Sequence, residues 1–112
     1  MHDSELFKLK AELCKTFADA KRLAIINELR SGEKLVGELA QALGIAPAVA
    51  SRHLALLRNR GVVRPRREGT NVYYRLADPT IVEACDLIHQ VLLNSLTKNR
   101  ELAERLTTAN LG

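Results

Sequence analysis

The sequence predicts a mainly helical domain with one small β-hairpin, built around a helix-turn-helix. Three observations carry that expectation. Apolar residues recur at helical spacing over most of the chain, Gly44 and Pro47 punctuate its middle, and after Gly61 the period shortens to near two around Glu68-Gly69-Thr70-Asn71. A length of 112 residues, 46% hydrophobic and 27% charged, suits a single domain spanning 1–112.

The first helix is read from Leu6, Leu9, Leu13 and Phe17, which recur at helical spacing among Lys8, Lys10, Glu12 and Lys15 and stop near Ala18. Asp19 then suits the N-cap of a second helix carrying Leu23, Ile26 and Leu29, closed by Ser31-Gly32. A short third helix is expected from Leu35 to Leu43. Gly44 ends it, Ile45-Ala46 turns the chain, and Pro47 opens a fourth helix to about Asn59, because a first-turn residue tolerates the missing N–H. Two short helices across so tight a turn make a helix-turn-helix. Val62 and Val63 lead into one hairpin strand, with Val72, Tyr73 and Tyr74 in the other. Asp78-Pro79 reads as a cap and first-turn proline for a fifth helix whose apolar stripe is Ile81, Ala84, Cys85, Ile88, Leu92 and Leu96. Thr97 to Leu106 holds good helix formers but few apolar positions. The sequence leaves open whether it extends the fifth helix, forms a separate one or frays.

The net charge of +4 is unevenly spread. Arg52, Arg58, Arg60, Arg64, Arg66, Arg67 and Arg75 face only Glu68 between positions 52 and 75, while the remainder of the chain is slightly acidic. Every basic residue in that window is Arg, whose planar fork suits phosphate better than the point charge of Lys. On the fourth helix Ala50, Leu54 and Leu57 share one face, and Ala48, Ser51, Arg52, Ala55 and Asn59 lie opposite. Small residues, a hydroxyl and an Arg on the presented face suit close approach to the major groove, with Arg52 as the base reader and Ser51 on a phosphate or base edge. His53, at the border of the packed face, is read first as a residue that packs and hydrogen-bonds within the domain. Arg66 and Arg67 lie beside the hairpin tip, within reach of a phosphate backbone or the adjacent minor groove. Pro47, Ala48, Ser51, Arg52, His53, Arg58, Arg66, Arg67, Thr70 and Tyr73 form the candidate DNA-facing set, within a DNA-reading part at about 35–76.

Other classes are disfavoured. The longest uncharged stretch, Leu39 to Ser51, is broken by Gly44 and Pro47 and falls short of the ~18 apolar residues of a membrane span. The amino terminus lacks the pattern of a secretory signal, so a cytoplasmic protein with reduced thiols is expected. No nucleophile and base pair, phosphate loop or metal cluster stands out, so the chain is read as no enzyme, with no cofactor.

Gly37-Glu38-Leu39-Ala40, Val49 to Arg58, Gly61-Val62-Val63 and Arg67-Glu68-Gly69 through Tyr73-Tyr74-Arg75-Leu76 together resemble the ArsR/SmtB family of dimeric winged-helix repressors. The similarity runs from about Leu13 to Leu93 and includes Phe17 to Leu23. It implies that the hairpin is the wing, that the third and fourth helices read DNA, and that an effector releases a homodimer from its operator. By the same resemblance the dimer forms through helices at about 4–18 and 78–96, with Leu6, Leu9, Leu13, Phe17, Ile81, Cys85, Ile88 and Leu92 at the interface. Leu35 and Ala46 replace the Ser or Thr that family members commonly place before the two reading helices, which implies weaker or altered sequence preference.

The family's metal sites do not transfer. Leu35 and Gly37 stand where soft-metal sensors have Cys-x-Cys, and of the set used between fifth helices only Asp78 matches, beside Thr80, Val91 and Asn94. An unusual interface site using His89, Asp86, His2 or Asp3 is a minority reading, and the site list carries no metal. Cys14 and Cys85 are read first as packing residues, with thiol sensing as the alternative and a thiol-reactive effector preferred to a metal. The family's sensing cysteines would fall near Ile26 and Leu93, which carry no thiol. The competing function is a winged-helix protein-interaction module without operator binding.

Overall fold

In the computed structural model, which describes residues 3–97 and 100–111, the chain divides into two compact units, one up to Pro79 and the other from Thr80. The first unit runs α1 (Asp3–Thr16), α2 (Ala20–Glu28), a 3-10 turn (Leu29–Ser31), β1 (Lys34–Leu35), α3 (Val36–Leu43), α4 (Pro47–Asn59), β2 (Val63–Glu68) and β3 (Asn71–Leu76). The second holds α5 (Thr80–Ser95) and α6 (Arg100–Leu111). Among the described residues no helix is long and apolar enough to cross a membrane.

Local chemistry sets the helix boundaries. Asp19 caps α2 as expected, its carboxylate accepting from the backbone N–H groups of Lys21 (2.9 Å) and Arg22 (3.1 Å). The Arg22 N–H is the main reason the Asp19 carboxyl lies below its ordinary pKa, helped by the Arg22 guanidinium and His53. The Arg22 guanidinium also donates to the Thr16 and Lys15 carbonyls at 2.7 and 3.1 Å, capping the C-terminal end of α1. Gly44 adopts the left-handed conformation (φ 66°, ψ 37°) that ends α3, and Ile45 N–H returns to the Ala40 carbonyl at 3.0 Å. The turn between the reading helices is therefore Gly44-Ile45-Ala46.

Ile25 and Ile26 of α2, Leu29, Leu39 and Ala40 of α3, Ala50, Leu54 and Leu57 of α4, and Val62 and Val63 form the core of the first unit. Three helices thus meet under the helix-turn-helix, and the predicted apolar face of α4 is the one that packs. The hairpin extends from this core with strand order β1-β3-β2, all antiparallel. Its turn is Gly69-Thr70, with φ 61° at Gly69 and a negative φ at Thr70, as the first-position glycine of a type II′ turn requires.

Several boundaries differ from the sequence expectation. Leu35 belongs to β1 and stands at the N-cap of α3, because pairing of Lys34 with Tyr74 and Leu35 with Tyr73 draws this segment into the sheet. The second helix ends at Glu28 and continues only as the 3-10 turn. The fifth begins at Thr80, one residue beyond Pro79. Residues from Arg100 form a separate helix, which resolves the alternatives left open there.

Candidate nucleic-acid interface

The presented face of α4 is built by its buried one. With Ala50, Leu54 and Leu57 fixed in the core, the helix turns Pro47, Ala48, Ser51 and Arg52 outward, all exposed. Arg52 makes no hydrogen bond or ion pair among the described residues and keeps its donors for a ligand. His53 is half-buried at the border of the packed face, close enough to Asp19 to act on its carboxyl.

Neither reading helix has a hydroxyl cap. Ala46 and Leu35 hold extended N-cap backbones without a side-chain bond to the helix. At α3 Glu38 supplies only the reciprocal half of a capping box, accepting from the Leu35 backbone N–H at 2.8 Å. At α4 Pro47 occupies the first helical position.

The hairpin sorts its arginines by the pleat. Successive strand residues point to opposite faces, so Arg66 and Arg67 diverge although adjacent in sequence. Arg67 lines a cleft of about 320 Å³ with Pro65, Val72 and Tyr74 from the sheet and with Ser51 and Arg58 from α4. Recognition helix and wing therefore present two guanidinium groups and a hydroxyl to one space. Arg64 lies directly opposite Arg75, a cross-strand pair of like charges that costs stability unless an anion lies between them. Thr70 is exposed at the hairpin tip.

Arg66 is differently placed. Its guanidinium forks onto Glu33, with Nε at 3.1 and 3.2 Å and Nη2 at 2.5 Å, while Nη1 reaches Glu68 at 2.6 Å. It also lies 4.5 Å from the ring centre of half-buried Tyr73. The Arg66 contacts depress the Glu33 carboxyl below its ordinary pKa, and the two carboxylates raise that of Arg66. Sequence reasoning missed Glu33, Pro65 and Tyr74 as parts of this region. Only the seven-to-one excess of Arg over acidic residues pointed to it.

The residues expected at a dimer interface lie on or next to two helices, α1 in the first unit and α5 in the second. On α1, Leu9 and Leu13 are exposed, Leu6 is half-buried, and Phe17 lies half-buried just beyond the helix. Phe7, not anticipated, is 61% exposed. No residue of α5 is buried: Ile88 and Leu92 are exposed, Ile81 and Cys85 half-buried, and Leu87 and Val91 are 68% and 67% exposed. Cys14 is exposed. Among the described residues no group of three or more His, Cys, Asp or Glu side chains is placed to hold a metal ion. His2 lies outside the described residues.

A buried helix-turn-helix followed by a basic antiparallel hairpin defines a winged helix-turn-helix protein. The model of a family described as bacterial regulatory protein, arsR family, matches residues 19–64. The regulator Rv0081 of Mycobacterium tuberculosis is 36% identical over 107 residues, covering 95% of this chain and 94% of its own. Its crystal structure superposes with a TM-score of 0.78 at 37% identity, over 84% of this chain and 95% of that one. The transcriptional repressor SmtB of the same organism is 39% identical over 74 residues, 66% of this chain and 55% of its own. The solution structure of Mb0332 from Mycobacterium bovis, described as a homodimeric winged helix-turn-helix DNA-binding domain, aligns with a TM-score of 0.74 at 34% identity, over 82% and 87% of the two chains. The chain belongs to the ArsR family of bacterial regulatory proteins. It is a transcriptional regulator and not an enzyme.

Proposed function

We propose that the chain is a cytoplasmic, homodimeric repressor that binds a pseudo-palindromic operator through α4 and the wing. One observation carries this reading: Ser51 and Arg58 of the recognition helix and Arg67 of the wing line a single cleft, beside the exposed and unpaired Arg52. In this reading Pro47, Ala48, Ser51 and Arg52 enter the major groove, with Arg52 on a base edge. Arg58, Arg67 and Thr70 hold the phosphate backbone, and His53 supports the helix from its border. A single domain spans 1–112, with its DNA-reading part at about 35–76. A second copy of the chain covers the apolar residues of α1 and α5, which support the assignment by their exposure.

An effector that reacts with thiols fits better than a metal ion. Cys14 is exposed and Cys85 half-buried, each on a helix assigned to the dimer interface. The experiment is to map bound DNA across the genome and measure Arg52→Ala on the recovered operator. A loss of roughly 1 to 3 kcal/mol, with flattened discrimination at one base pair, is expected. Equal losses on operator and mixed-sequence DNA would remove Arg52 as a base reader.

A further inference from the structure

The wing has little to hold it in place. Of β2 only Val63 is buried, and β1 contributes two residues to the sheet. A two-stranded hairpin alone is marginal in water, so the position of its distal half depends on whatever ties it to the body of the unit. One side-chain tie crosses the whole sheet: Arg66 on β2 passes over Tyr73 on β3 to Glu33, the residue before β1. Arg66 is Tyr73's register partner on one side, and Leu35 is its partner on the other.

Resting on the DNA-binding reading above, we propose that Glu33, Arg66 and Tyr73 form a staple that sets the wing's position, so that Arg66 is a positioning residue and not a phosphate contact. All three guanidinium nitrogens are committed, Nε and Nη2 to Glu33 and Nη1 to Glu68. With every nitrogen bonded to a carboxylate, the guanidinium has no fork left to offer a phosphate. Arg67, on the opposite face with Pro65, Val72 and Tyr74, is left to meet the backbone. The staple uses what is particular to Arg, a planar fork matched to a carboxylate and a flat face that stacks on a ring, and Lys reproduces neither.

The sign of one substitution separates the readings. Were Arg66 a DNA contact restrained by its carboxylates, Glu33→Gln would free it, remove a negative charge and tighten binding. The staple predicts that Glu33→Gln weakens binding of a mixed-sequence duplex by roughly two- to fivefold, the range of an exposed ion pair, and that Arg66→Lys does the same. Arg66→Ala should leave the salt slope unchanged, whereas Arg67→Ala should reduce it by about one. Amide hydrogen exchange on the DNA-free full chain gives a readout independent of DNA. β2 and β3 amides should exchange faster in Glu33→Gln and Arg66→Lys, with Leu54 and Leu57 amides protected as before. Tighter binding by Glu33→Gln, a salt slope lowered by about one in Arg66→Ala, or unchanged exchange in the strands would overturn the staple. A wild-type chain with no salt-dependent DNA binding would instead overturn the DNA-binding reading, and the exchange data would still decide the staple.

Discussion

Arg60, at the C-cap of the recognition helix, donates through Nη1 to Glu12 Oε2 on α1 at 3.0 Å and ties together residues 48 positions apart. Their side chains are 42% and 56% exposed, so water and salt screen the pair. Glu12→Gln is expected to change the unfolding free energy by less than about 1 kcal/mol in urea titrations. A larger loss would mean that the α1 contact is a principal support of α4.

Arg22 is the stronger link between α1 and α2, because it donates to two carbonyls at the end of α1 from a mostly buried position. Lys keeps the charge but not the fork. Arg22→Lys should destabilise the fold by about 1 to 2 kcal/mol, read from the urea midpoint at constant m.

Asp19 gives a pH signature. Its carboxyl is held below the ordinary value first by the Arg22 backbone N–H, so the stabilisation is complete at neutral pH and disappears as pH falls through the lowered folded value. Asn caps a helix about as well but does not titrate. Between neutrality and roughly pH 3 the wild type should therefore lose more Tm than Asp19→Asn. Parallel curves would show that Asp19 contributes nothing to acid unfolding.

Leu87 and Val91 stand one turn apart on α5, both strongly exposed. The double substitution Leu87→Lys, Val91→Lys should sediment as a monomer at micromolar concentration with its far-ultraviolet helix signal retained. A dimer that persists would place the interface elsewhere.

What the sequence revealed depended on how local the cause was. Gly44, Pro47 and Asp19 act within a few residues, and the fourth helix begins, ends and faces as its pattern predicts. β1 was invisible because Lys34 and Leu35 owe their extended state to Tyr74 and Tyr73, which lie much later in the chain. The concentration of Arg marked the interface, but not which arginines face it. Arg66 and Arg67 look equivalent in sequence, and only the pleat and Glu33, 33 residues upstream of Arg66, separate them. The bond from the Leu35 N–H to Glu38 was legible in principle, since Glu38 stands three positions after Leu35.

Salt titration of DNA binding tests the assigned interface most directly. If α4 and the wing grip several phosphates, affinity for a mixed-sequence duplex should fall well over tenfold between about 50 and about 200 mM salt, with the slope reduced by about one in Arg67→Ala. A fall of less than about tenfold for every duplex tested would contradict it, and would leave the basic face to a protein partner.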